Sequence, residues 1–297
     1  MSKPNRGKAP GARDRARSAR EKVTAQREQA RRAAARRRAL TIGGSVAVVL
    51  AIVIALIAVK LTESPAPAAG ATADAAVARE IATIPAATFD AVGKGTASGL
   101  KATSGQPLLT RDGKPEVLYI GGEYCPFCAA ERWAIAAALS RFGTLSGVQF
   151  IHSSPTDVYP STPTLTFANA RYTSKYLAFV PVEWYGGKPD ASTPTGYAYL
   201  QQPTPQQKAL FAKYGGSFPF LDIGNQCLLP QAQYVPSALS GLTWAQVASA
   251  MHDPSSAVGK DINGAANMIT AAICKLTHGQ PAAVCNSAGV TAAAGSI

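Results

Sequence analysis

Cys125-Pro126-Phe127-Cys128 constrains this chain more than any other feature. It follows the short apolar run Val117-Leu118-Tyr119-Ile120 and precedes a stretch patterned as a helix, so the two cysteines fall at a strand-to-helix junction, where such a pair is a redox-site signature. Residues three apart on a first helical turn face each other, close enough for a disulfide to form and open. Unpaired backbone N–H groups and the positive end of the helix dipole favour a thiolate there, mainly at the first cysteine. Cys125 is therefore the expected attacking sulfur and Cys128 the buried, resolving one. Pro126 suits the first helical position, where its missing N–H costs nothing. The helix is expected over 126–142, with Phe127, Ala130, Ala134, Ala137, Ala138 and Phe142 as its apolar stripe. Glu131, Arg132 and Arg141 lie largely off that stripe, and Gly143 is placed to end the helix.

The chain has 297 residues and a formal net charge of +12, but the charge is not spread evenly. Residues 1–38 hold fourteen Lys or Arg against three Asp or Glu. The high isoelectric point thus belongs to the tail and implies no acidic substrate for the remainder. From 39 to 59 run twenty-one uncharged residues rich in Val, Ile, Leu and Ala, the length that spans a hydrocarbon core of about 30 Å. We expect a single transmembrane helix there, rather than a cleaved signal peptide with its shorter apolar region. The positive-inside rule then places the tail in the cytoplasm and the rest outside. A Pro- and Ala-rich linker is expected over 60–81. All 22 aromatic residues lie at or after Phe89, so the packed domain is expected at about 82–288, with a flexible end at 289–297. The tail has no aromatic on which a base could stack, and no nucleic-acid partner is expected. Charge alone suits it to anionic lipid headgroups.

Within the domain, 148–152 reads as a second strand and 153–163 as a polar turn region. The stretches 164–172 and 176–184 alternate as the arms of a hairpin. A short helix is expected over 205–214, then an apolar strand over 215–224 whose Pro219 marks an edge, a strand start or a cis bond. Further helices are expected over 244–251, after the Thr243 cap, and over about 264–275.

This order resembles the thioredoxin fold, and Gly122-Glu123-Tyr124-Cys125-Pro126-Phe127-Cys128 resembles the active-site segment of thioredoxins, glutaredoxins and the periplasmic disulfide oxidases. Phe218-Pro219 is similar to the cis-proline those proteins hold opposite their disulfide. More closely, YCPFCAAERWAIAAALSRFG, TSKYLAFVPVEW, FPFLDIGN and AANMITAAICKLTHGQPAAVC resemble an uncharacterised thioredoxin-like family of prokaryotic, often membrane-anchored proteins, known mainly as a domain of unknown function. The match runs from about Phe89 to Cys285. The resemblance implies an α/β domain of thioredoxin-like fold with a β-rich insertion at about 153–216, preceded by one transmembrane helix. It also implies thiol-disulfide exchange, with Pro219 aligning a substrate cysteine, and Pro126, Phe127 and Phe218 tuning the couple. The chain departs from the thioredoxin pattern at Tyr119, six residues before the first cysteine, where those proteins have a buried carboxylate. Glu123 matches a thioredoxin position and is a candidate for proton transfer, with a solvated glutamate as the alternative.

Cys274 and Cys285 flank a Thr-His-Gly-Gln-Pro turn that folds a helix end back. A structural disulfide is expected there, in keeping with an oxidising site outside the cytoplasm; a second redox pair relaying electrons to Cys125 and Cys128 is the sharper alternative. Cys227 is expected as a buried thiol. Without a second CxxC or paired histidines, His152, His252 and His278 being isolated, neither a zinc site nor any other cofactor is expected. The partners expected are client proteins with cysteines and a membrane redox partner. The alternatives are a cell-surface binding module with a purely structural disulfide and an electron conduit for one dedicated membrane partner.

Overall fold

The computed structural model describes residues 71–297. Helices α1 (Ala71–Ala82) and α2 (Ala86–Val92) lead into strands β1 (Lys101–Ala102), β2 (Thr110–Arg111) and β3 (Lys114–Gly122). Helix α3 (Pro126–Ser140) follows, then β4 (Thr144–Ser146), β5 (Gln149–His152), β6 (Pro163–Thr166), β7 (Arg171–Thr173), β8 (Ala178–Pro189) and β9 (Tyr197–Tyr199). After α4 (Pro205–Lys213) come β10 (Phe220–Ile223) and β11 (Cys227–Leu229), and then helices α5 (Trp244–Ala250), α6 (Ala257–Leu276), α7 (Ala282–Cys285) and α8 (Ala288–Ala294).

The main sheet runs β1-β11-β10-β3-β8-β9, with β2 also on β3. It is mixed: β3 pairs parallel with β8 and antiparallel with β10. Strand β3 is central because it is apolar on both faces, which suits a strand covered on both sides. Val117 and Tyr119 join Leu221 and Ile223 in the larger core, under α3 and α6. Leu118 and Ile120 point the other way, into a smaller core with Phe220 and Phe211 of α4. The register sets Tyr119 opposite Leu221 and Ile120 opposite Phe220, so successive pairs feed alternate faces.

Several expectations need correction. A thioredoxin-like fold behind one transmembrane helix gives way to a mixed α/β architecture in which no described helix is long and apolar enough to cross a membrane. The longest, α6, has 20 residues but carries Lys260, Asp261 and Lys275, and its buried face includes Asn263 and Asn267. The span expected at 39–59 and the basic tail lie outside the described residues. The expected hairpin of 164–172 and 176–184 does not form. Instead β6 pairs with β5, β7 with β4, and β8 joins the main sheet beside β3. The stretch 153–216 is therefore not an insertion beside a complete sheet, since β8 is one of the sheet's inner strands. Alternation marked strand-forming stretches, although a turn at 167–170 divides the first arm into β6 and β7, and it carried no information about their partners. Helix α1 occupies part of the expected linker, as its alanine content favours, and buries Ile81. In the expected flexible end, α8 buries Val290 and Ala293.

Helix α3 departs furthest from its pattern. Glu131 and Arg132, expected off the apolar stripe, are fully buried, as is Trp133, whose indole N–H donates to the Pro163 carbonyl at 3.0 Å. The helix is enclosed on all sides, and its alanines, distributed around the axis, let neighbouring elements approach.

Candidate functional site

Strand β3 delivers the chain to Cys125, which caps α3 in an extended conformation (φ −77°, ψ 121°). Its Sγ takes the place a serine or aspartate oxygen usually holds at a helix start, accepting the Cys128 backbone N–H at 3.3 Å. Pro126 occupies the first turn. Cys125 retains 7% of its accessible surface and Cys128 none. Both are thiols. The Cys125 thiol is pulled below its ordinary pKa by hydrogen bonds from the Cys128 thiol and backbone and from the Phe127 N–H, and by the Arg132 charge, against the opposing effect of burial. Burial pushes Cys128 well up, helped by the neighbouring Cys125 sulfur. The pair is thus asymmetric: the charged form is favoured at Cys125 and disfavoured at Cys128.

The two glycines before the motif are demanded by close contact. A Cβ on Gly121 would come within 2.1 Å of the Tyr119 Oη, and one on Gly122 within 2.8 Å of the Tyr124 ring. The Phe218–Pro219 peptide is cis. Because Phe220 pairs with Ile120, Pro219 lies at the end of the sheet that carries Cys125. Phe218 stacks on Phe211 at 5.1 Å and meets Trp184 and Tyr185 edge-on. Phe127, 37% exposed, meets Tyr159 edge-on. Glu123 is half-buried and engaged: its Oε1 accepts from the Thr166 hydroxyl at 2.7 Å, and its backbone N–H donates to the Tyr185 carbonyl.

Two groups of residues at this end were not anticipated. The first is aromatic: Tyr124 stacks on Tyr197 with centroids 4.2 Å apart, and Tyr185 stacks on Tyr199 at 4.9 Å. The density of Tyr and Trp over 184–199 was the available signal, but only the fold of β8 and β9 brings it beside the motif. The second is ionic. Arg132 and Glu183, both fully buried, form a two-point pair at 2.8 and 2.7 Å, and Arg132 Nη2 also donates to the Gly122 carbonyl at 2.8 Å. Arg132 lies four residues beyond Cys128 and so shares its helix face, a spacing visible in the sequence.

Far from this end, Cys274 and Cys285 are joined by a disulfide with Cα atoms 5.6 Å apart. The left-handed residues His278 and Gly279 turn the chain back between them. Cys227 is a buried thiol. No described group of three or more His, Cys, Asp or Glu is arranged to hold a metal ion.

No curated protein and no solved structure matches the chain. A family model described as a domain of unknown function, DUF929, matches residues 102–275, from β1 almost to the end of α6 and including the whole site. The chain belongs to the DUF929 family.

Proposed function

We propose that the protein is a thiol-disulfide oxidoreductase whose working couple is Cys125 and Cys128, acting on cysteine-containing client proteins in an oxidising compartment outside the cytoplasm. The observation that carries this reading is the asymmetry of the pair: a slightly exposed Cys125 Sγ stabilised at a helix start, and a fully buried Cys128 that donates to it. The closed Cys274–Cys285 bond fits the compartment.

In the reducing direction, the Cys125 thiolate attacks one sulfur of a client disulfide. The client S–S bond breaks, a Cys125–client disulfide forms, and the departing client sulfur takes up a proton. Cys128 then loses its proton and attacks the Cys125 Sγ, which closes Cys125–Cys128 and releases the second client thiol. Two electrons pass from the couple to the client, with one proton from Cys128 and one from solvent. The reverse sequence oxidises a client dithiol. Pro219 and the aromatic side chains beside it border the place where the client cysteine approaches.

The test is capture of the intermediate. Full-length protein carrying Cys128→Ser, mixed with a disulfide-bonded peptide, accumulates a mixed disulfide that peptide mapping assigns to Cys125, whereas Cys125→Ser accumulates none. Absence of any adduct at Cys125, with wild-type Cys125 and Cys128 never interconverting between thiol and disulfide, refutes the proposal and leaves a binding module.

A further inference from the structure

Arg132 is a cation without access to water, and its surroundings are unusually specific. Glu183 on β8 holds two of its nitrogens, and the Gly122 carbonyl accepts from one of these as well as from the Cys125 backbone N–H at 3.1 Å. One carbonyl therefore links the guanidinium to the start of the cysteine motif. The third nitrogen, Nη1, is buried and has no hydrogen-bond partner among the described residues. Beneath it on β3, the buried Tyr119 hydroxyl also lacks a partner, and the guanidinium carbon lies 5.8 Å from the Tyr119 ring centroid. Two unspent donors in a dry interior call for an explanation, because buried donors are almost always paired and an unmade hydrogen bond there is costly. Cys128 lies one turn before Arg132 on the same helix, so negative charge that develops on the couple during the reaction falls on the helix face that carries this cation.

We infer that Arg132 is a positioning residue for the exchange reaction: a fixed buried cation, clamped by Glu183, that compensates the thiolates of the couple and so biases it toward the dithiol, making the oxidised form an electron acceptor from client dithiols. This deepens the proposed function and rests on it. Stabilising a thiolate stabilises the reduced state and raises the reduction potential. The other charged or titratable groups at the pair are in place for this reading. Glu183 is engaged by Arg132 and by the Phe167 N–H, and Glu123 is bonded to Thr166. Tyr119, Tyr124 and Tyr185 are all pushed up by burial and stay neutral. Asp157 acts on Tyr124, to which it adds a small upward push. Among the described residues, Arg132 is a cation that acts on both sulfurs.

The experiment compares full-length wild type with Arg132→Lys and with the neutral pair Arg132→Gln/Glu183→Gln, which keeps hydrogen-bonding groups in place without leaving a lone buried charge. Two readouts are taken: the pH midpoint of Cys125 alkylation, and the redox midpoint in glutathione buffers. In the neutral pair the alkylation midpoint is expected to rise by about half to one pH unit, and the couple to become more reducing by up to about 30 mV, the equivalent of a tenfold change for two electrons. Arg132→Lys is expected to fall between the two. Unmoved midpoints in a folded neutral pair overturn the inference and leave the ion pair a structural clamp. Should the neutral pair not fold, Arg132→Lys decides alone: a smaller shift of both midpoints in the same direction supports the inference, and unmoved midpoints overturn it. A wild-type pair that never cycles removes the proposed function itself, whereas a pair that cycles but ignores these substitutions removes only the role of Arg132.

Discussion

The protein holds two cysteine pairs at opposite ends of helices, and their geometry separates their chemistry. Cys125 and Cys128 are three residues apart at the start of α3, where the first sulfur is a helix cap and backbone N–H groups, a buried cation and the partner thiol all favour its charged form. Cys274 and Cys285 are eleven apart across the end of α6, where a left-handed turn brings the chain back and the bond is closed. A thiolate at a helix C-terminus would face the negative end of the dipole, so nothing at that end rewards an open pair. On the proposed reading, reactivity follows from which helix end holds the sulfurs and what is buried beneath them, not from the presence of two cysteines.

The largest expected difference is in activity. Cys125→Ser removes exchange outright, while Cys274→Ser/Cys285→Ser leaves the exchange rate near that of wild type; a client-peptide assay on both proteins checks this. Loss of exchange in the second variant with its fold intact would erase the contrast and favour an electron relay between the pairs. Stability shows the reverse order. Opening the eleven-residue loop costs about 2–3 kcal/mol, measured as a lower denaturation midpoint, whereas reduction of Cys125 and Cys128 involves a bond closing a far shorter loop.

A third prediction concerns the body of α3, one turn beyond the reactive pair. Burial raises the Glu131 pKa from 4.5 to about 8, against the opposing effect of the Gln233 backbone N–H, which donates to its carboxylate at 2.9 Å; the Gln233 side-chain amide also donates to it at 3.0 Å. A carboxyl whose folded pKa is raised contributes fully below its unfolded value and loses that contribution as pH rises through its folded value. Stability is therefore expected to decline between about pH 4.5 and 8, and Glu131→Gln to flatten that decline. Denaturation midpoints across this range check it; an identical slope in the variant contradicts it. The smallest effect is expected at Glu123. Glu123→Gln weakens one hydrogen bond to Thr166, about 0.5–1.5 kcal/mol, and leaves the Cys125 alkylation midpoint in place, because its carboxylate is not among the main groups acting on either thiol.

Local patterns made much of this legible. The motif, the helix after it, the short helix starting at Pro205 and the Thr243 cap, with its reciprocal Gln246 bond, are all written in neighbouring residues. The fold-back that joins Cys274 to Cys285 is likewise carried by a short turn. Pairing between distant strands was not legible. Residues 176–184 carry the alternation of a hairpin arm, yet β8 lies parallel to β3 because both strands are apolar enough for an inner position. Arg132 and Glu131 fall off the apolar stripe for a related reason. A helix buried all round gives little sign of which polar residue faces a partner, and the partner of Arg132 is 51 residues away on β8.

The most direct test of the account is a redox titration of the full-length protein in glutathione buffers, with each cysteine alkylated and mapped by mass. The account predicts that Cys125 and Cys128 interconvert together as one reversible couple, with a midpoint nearer the about −120 to −180 mV of protein oxidants than the about −270 mV of thioredoxin, while Cys274 and Cys285 stay bonded throughout. A Cys125–Cys128 pair that never forms a bond, or a Cys274–Cys285 pair that cycles in its place, would contradict it.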